Sequence, residues 1–235
     1  MGRVFEKRKH KMFARFDRMA KTFTRIGKDI AIAVKLNGPN PDNNPRLRMA
    51  IQNAKGANMP KDRVEGAIRR AVSKEEKDYQ EVVYEGYAPH GVPVVVECAT
   101  DNPTRTVANI RLHFSKNGGL MGNSGSVGFM FERKGIFKFE PSKINLDEME
   151  LDLIDAGAED IQKEEEEVII YTRFTDFGHM AKFLETKKLE PKSSELHYIP
   201  TTTKELSEAE TDEVMECITT LEADDDVQTV YHNLA

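Results

Sequence analysis

The side chains most able to do chemistry crowd the start of the chain, MGRVFEKRKHKMFARFDRMAKTFTRIGK. Turned as a helix, Lys11, Arg18, Lys21, Arg25 and Lys28 fall within an arc of about 100°, with Lys9 just before them. Between Lys11 and Ala33 the acidic residues are Asp17 and Asp29, too few for ion pairs to neutralise most of these cations. A charged helical face is often simply solvated, but a row of Lys and Arg with so few acidic partners fits contact with phosphates. Arg46, Arg48, Lys55, Lys61, Arg63, Arg69 and Arg70 continue the supply downstream. Residues 1–78 hold 20 Lys and Arg against 9 Asp and Glu, whereas the remainder holds 14 against 31. A chain of net charge -6 thus carries a strongly basic module, the signature of a polyanion binder joined to acidic domains with another task.

No comparable set for covalent or metal chemistry emerges. The six histidines are scattered and none lies at ligand spacing from His10, so neither a zinc site nor a histidine-centred triad is predicted. No cofactor is implied. GGLMGNSGSVG can cradle a phosphate through backbone amides, but it lacks the GK[ST] ending of a nucleotide loop and reads better as a flexible interdomain loop. In DNPTRT, Asp101, Asn102 and Arg105 stand at a helix start, where capping and a local ion pair are the ordinary explanation. The acidic runs KEEEE and EADDD can attract Mg²⁺, although a solvated face is the simpler reading. Cys98 and Cys217 have no CxxC partner and no nearby histidine, as expected of buried free thiols. A hydrolytic enzyme is the competing class, to be recognised by a pocket of carboxylates with raised pKa; a protein scaffold with a basic partner is the third.

Helices must position the basic residues. Met12, Phe16, Met19, Phe23, Ile26, Ile30 and Ala33 alternate by three and four, which lines one helical face with apolar side chains. After the turn-rich NGPNPDNNP, Asn44 caps a second helix with Pro45 in its first turn and Leu47, Ile51 and Ala54 inside. Gly56 to Asn58 ends it, and Pro60 starts a third with Val64, Ile68, Ala71 and Val72 inside. No segment has a recognition-helix signature, so affinity for nucleic acid is easier to argue than sequence specificity.

Beyond SKEEKDYQ the texture becomes mixed. VVYEGYAP and VPVVVECAT read as strands around a PHGVP turn, NPTRTVANIRLHFSKNGG as a helix, and SVGFMF as another strand. GIFKFE, a helix capped by Asn145 with Glu148 at the capping-box position, EDIQKE, EVIIYT, a helix in TDFGHMAKFLETKK and SELHYIP then give the order βαββαβ, the ferredoxin-like split unit. The tail adds a helix with a Ser207 and Glu210 capping box and the strand DVQTVYH. The fold class expected is α+β: a three-helix basic domain over 1–78, a discontinuous α/β domain over 79–132 plus 201–235, and a ferredoxin-like domain over 133–200 inserted into the second. The longest apolar runs fall far short of the roughly 20 residues of a membrane helix. Glu6 and Asp17 interrupt the basic N-terminus where a presequence would avoid acids, so a cytosolic, cytoplasmic protein is expected.

The blocks NPRLRMAIQNAKGANMPKDRVEGAIRR, YEGYAPHGVPVVVECATDNPTRTVANIRLHFSKNGG and SGSVGFMFERKG, in that order, closely resemble the YebC/PmpR family. The resemblance spans essentially the whole chain and departs from the family at the start, where GRVFEKRKHK replaces a GHSKW-like block. It implies three domains around a cleft with acidic walls and a role in regulating gene expression; because it is concentrated at DNPTRT, it also implies that Asn102 and Arg105 belong to a functional surface. Bacterial relatives are described as DNA-binding transcriptional regulators, while organellar and some bacterial relatives resemble translation factors acting at the ribosome. The expectation is a non-catalytic regulator that binds nucleic acid, with DNA as partner and rRNA as the alternative, because both present the same phosphates.

Overall fold

The structure is a computed structural model that describes residues 3–73 and 78–235, with side chains described from residue 18 onward. It is mixed α+β, with seven α-helices and two antiparallel sheets among the described residues. The chain forms two compact units, residues 1–77 and 78–235.

In the first unit, α2 (Pro45–Gly56) and α3 (Lys61–Val72) pack against the C-terminal half of α1 (Arg3–Asn37). There Ile30, Ala31, Ile32, Ala33 and Val34 are all buried, because α2 and α3 cover more than one side of the helix. Asn44 caps α2 as predicted, its side chain accepting the Leu47 N–H, with Pro45 in the first turn. Two inside positions come out differently. Val72 is 58% exposed, because the buried stripe of α3 runs through Val64, Ala67 and Ala71 and stops there. Met19 is 38% exposed, lying in α1 before the buried segment that starts at Phe23. Met12 and Phe16 lie outside the described side chains.

The second unit contains β1 (Gln80–Ala88), β2 (Val92–Thr100), α4 (Pro103–Lys116), β3 (Leu120–Met121) and β4 (Phe131–Phe139). It continues through α5 (Leu146–Asp155), β5 (Ala158–Lys163), β6 (Val168–Arg173), α6 (Phe177–Thr186), β7 (Ser193–Pro200), α7 (Glu208–Ala223) and β8 (Val227–His232). The first sheet has the order β3-β1-β2-β8, so the tail returns to pair with β2, the register shifting between Glu97 and Cys98. One face of this sheet meets α4 and α7 in a core of Val94, Val96, Ile110, Phe114, Cys217 and Leu221. Burial pushes the Cys217 thiol up to about 11, so it packs as an apolar residue, and Cys98 is buried and unbridged too.

Between β3 and α7 runs β4-α5-β5-β6-α6-β7, whose sheet order β5-β6-β4-β7 makes it the ferredoxin-like split unit. Gly135 is needed at its centre: a side chain there would collide with Thr172 and with Phe177, whose ring stacks on Phe137 at 4.9 Å. The sequence reading of SVGFMF as a strand is corrected. Gly128–Met130 is a short 3-10 turn and the strand begins only at Phe131, while the outer strand of the first sheet is the two-residue β3. The capping box of α7 is present as predicted, but Asn145 stands before α5 without a capping side-chain bond.

Candidate nucleic-acid interface

Residues 18–73 carry 12 Lys and Arg against 4 Asp and Glu, so whatever pairs form, most of the positive charge is left over. Helix geometry decides which cations face solvent. Arg18 and Lys21 on α1, Lys55 at the end of α2, and Lys61, Arg63, Arg69 and Arg70 along α3 are exposed. Glu65 lies 3.6 Å from Lys61 Nζ and 3.8 Å from Arg69 Nη1, one exposed carboxylate shared by two cations. Such surface pairs contribute at most about 1 kcal/mol and yield readily to a phosphate. The Arg63 guanidinium sits 5.5 Å from the Phe23 ring centre, so packing of α3 on α1 sets its position. Gly66 leaves the helix surface bare beneath two guanidiniums: the atoms nearest to a side chain built there would be Arg70 Nη1 at 3.6 Å and Arg69 Nη2 at 4.0 Å.

Other predicted contacts are placed differently. Lys28 is buried, only 7% exposed, so the assignment of this lysine to the solvent-facing basic row is corrected: the row meets the part of α1 that is covered nearly all round. Arg25 and Arg46 are half-buried. Arg48 is half-buried too, and its Nη1 donates to the carbonyls of Pro41 at 2.7 Å and Asp42 at 2.9 Å, which ties it to the loop before α2. Lys9 and Lys11 lie outside the described side chains. The sequence reading missed Lys35, exposed in the last turn of α1, where a cation offsets the helix dipole; that position was the available signal.

In the second unit, Asn102 caps α4 by accepting the Arg105 N–H at 3.0 Å. Arg105 Nη2 lies 2.8 Å from Asp101 Oδ1 and 2.8 Å from Asp226 Oδ2; Asp226 and then Asp101 hold the guanidinium above its ordinary range. Thr106 Oγ1 is 2.8 Å from the same Asp226 oxygen, and His113 Nε2 is 3.0 Å from Asp224 Oδ2. One polar stripe of α4 thus receives the EADDD turn. Asp226 is buried at 6% exposure, so the reading of this run as a solvated face is corrected at Asp226, while Glu222 and Asp225 are exposed as expected.

The glycine-rich loop does direct its amides at an anion, and the anion belongs to the chain. The N–H groups of Gly125, Val127 and Gly128 donate to the Glu85 carboxylate at 2.8, 2.7 and 2.7 Å. Burial raises the Glu85 pKa, and the three backbone donors outweigh it, leaving the group below its ordinary value. Among the described residues no His, Cys, Asp or Glu group of three or more is arranged to hold a metal ion.

A basic three-helix unit followed by two antiparallel sheets, the second ferredoxin-like, defines a class of chain, and comparison with known proteins gives it a family. Residues 3–74 match the "TACO1/YebC protein N-terminal domain" and residues 79–234 the "TACO1/YebC second and third domain". The chain belongs to the TACO1/YebC family. Relatives named "Probable transcriptional regulatory protein" are 55% identical in Anaeromyxobacter dehalogenans and 52% identical in Myxococcus xanthus, each over the full length of both chains. The crystal structure of a conserved hypothetical protein from Aquifex aeolicus superposes with a TM-score of 0.79 at 38% identity, covering 92% of this chain and 90% of that one.

Proposed function

We propose that the protein is a non-catalytic regulator of gene expression that binds nucleic acid, acting in the cytoplasm as a DNA-binding transcriptional regulator. The observation that carries this is the imbalance of 12 cations to 4 carboxylates over residues 18–73, with Arg18, Lys21, Lys61, Arg63, Arg69 and Arg70 at the surface. Each phosphate they meet releases condensed counterions, which drives binding without base recognition. The relatives' shared name supports regulation as the purpose. In this reading residues 1–78 are the gripping domain. The acidic α/β domains, 79–132 with 201–235 and the inserted 133–200, restrain indiscriminate binding by repelling polyanions.

A ribosome-associated translation factor is the second reading. It is favoured by the spread of exposed cations over three helices rather than along one recognition helix, an arrangement suited to an irregular phosphate surface such as rRNA. Sedimentation of the native protein from lysate, with and without nuclease, separates the two. Association with chromosomal DNA that DNase abolishes supports transcriptional action, and travel with ribosomes after DNase supports translation. Free sedimentation under both conditions contradicts nucleic-acid binding itself.

A further inference from the structure

The two sheets of residues 78–235 approach each other at their outer strands β7 and β8, and the Tyr231 side chain crosses between them. Tyr231 is 9% exposed, with the rings of Tyr198 at 5.4 Å and His197 at 5.5 Å. Its hydroxyl oxygen lies 2.9 Å from Glu97 Oε2 on β2 and 3.3 Å from the Leu196 carbonyl oxygen on β7. Both are acceptors when Glu97 is ionised, and a phenol has one hydrogen to give. That hydrogen then goes to the carboxylate, the stronger acceptor, and the Leu196 carbonyl keeps only a weak contact. When Glu97 is protonated, its own hydrogen is donated to the phenol oxygen, and the phenol hydrogen turns to Leu196. A single chain of bonds then runs from β2 through β8 to β7.

We infer that Glu97 and Tyr231 form a proton-operated latch between the two sheets, closed when Glu97 carries a proton taken from solvent and slack when it is ionised. Neighbouring groups bear on Glu97 from several elements. Burial, the largest influence, favours the neutral acid, as does Glu81 on β1, whereas Tyr231, Arg133 on β4 and His197 on β7 favour the charged form; the balance leaves Glu97 above its ordinary range. His197 is itself engaged with Glu195 at 2.7 Å, and Thr229 acts on the phenol in favour of its ionised form. A raised folded pKa means that the latch contributes fully at low pH and is lost as pH rises through that pKa.

The test is pulsed electron paramagnetic resonance on the full chain, with spin labels at Lys163→Cys on β5 and Glu208→Cys on α7, both exposed, while the native thiols are buried. As the pH rises through the raised folded pKa of Glu97, the distance distribution should broaden in the otherwise native chain. Glu97→Gln, which can donate to the phenol at any pH, should stay narrow on both sides of that transition, and Tyr231→Phe should be broad on both. A native distribution independent of pH, or a Glu97→Gln variant that keeps the native pH response, would overturn the latch.

Discussion

Asn44 Nδ2 donates to the Ala33 carbonyl at 2.7 Å and to the Gly38 carbonyl at 2.9 Å, while Asn44 Oδ1 accepts the Leu47 N–H at 3.0 Å. One fully buried side chain therefore ends α1, turns the loop and starts α2. Asn44→Ala removes a cap and strands a buried carbonyl, which should cost about 2–4 kcal/mol. Urea unfolding followed by helical circular dichroism measures it; an unchanged midpoint would contradict this role.

Glu85 holds the loop of Gly125, Val127 and Gly128 by charge-assisted bonds. Its folded pKa is lowered, so its stabilisation is present above the unfolded value of about 4.3 and lost as pH falls through the folded value. Amide exchange at those three residues, corrected for intrinsic rates, should accelerate as the pH drops through that window. Glu85→Gln should show the faster exchange already at neutral pH.

Lys21 and Lys28 are two turns apart on α1 and should behave differently in binding, since one is exposed and the other buried. Lys21→Gln should lower the log–log salt slope of duplex binding by about 0.9. Lys28→Gln should leave the slope unchanged and reduce thermal stability instead. Equal reductions in slope for both would mean that Lys28 reaches phosphate.

Arg105 serves the turn at Asp224 to Asp226, so Arg105→Gln should speed amide exchange there and leave nucleic-acid affinity intact. Weakened affinity with the turn still protected would make Arg105 a phosphate-binding residue.

Much of the fold was legible because its signals are local. Asn44 before Pro45, Ser207 with Glu210, and the βαββαβ order each depend on residues a few positions apart. What misled depended on distant partners. SVGFMF has strand composition, but Glu85, about forty positions earlier, gathers the amides of Val127 and Gly128 and bends the segment into a turn. EADDD reads as solvated until α4 supplies Arg105, Thr106 and His113. Lys28 shares the angular sector of Lys21, yet helical angle gives direction and not how far neighbouring helices wrap around α1.

The grip on phosphate by the basic helices is tested most directly by the salt dependence of binding to duplex DNA. Wild type is compared with a chain carrying Arg18, Lys21, Arg69 and Arg70 all changed to Gln, positions that are exposed in the structure. The slope of log Kobs against log salt should flatten by as much as about 3.6, about 0.9 for each phosphate no longer neutralised, with affinity reduced at low salt. A variant that folds normally and keeps the wild-type slope would contradict the assignment of this surface to nucleic acid.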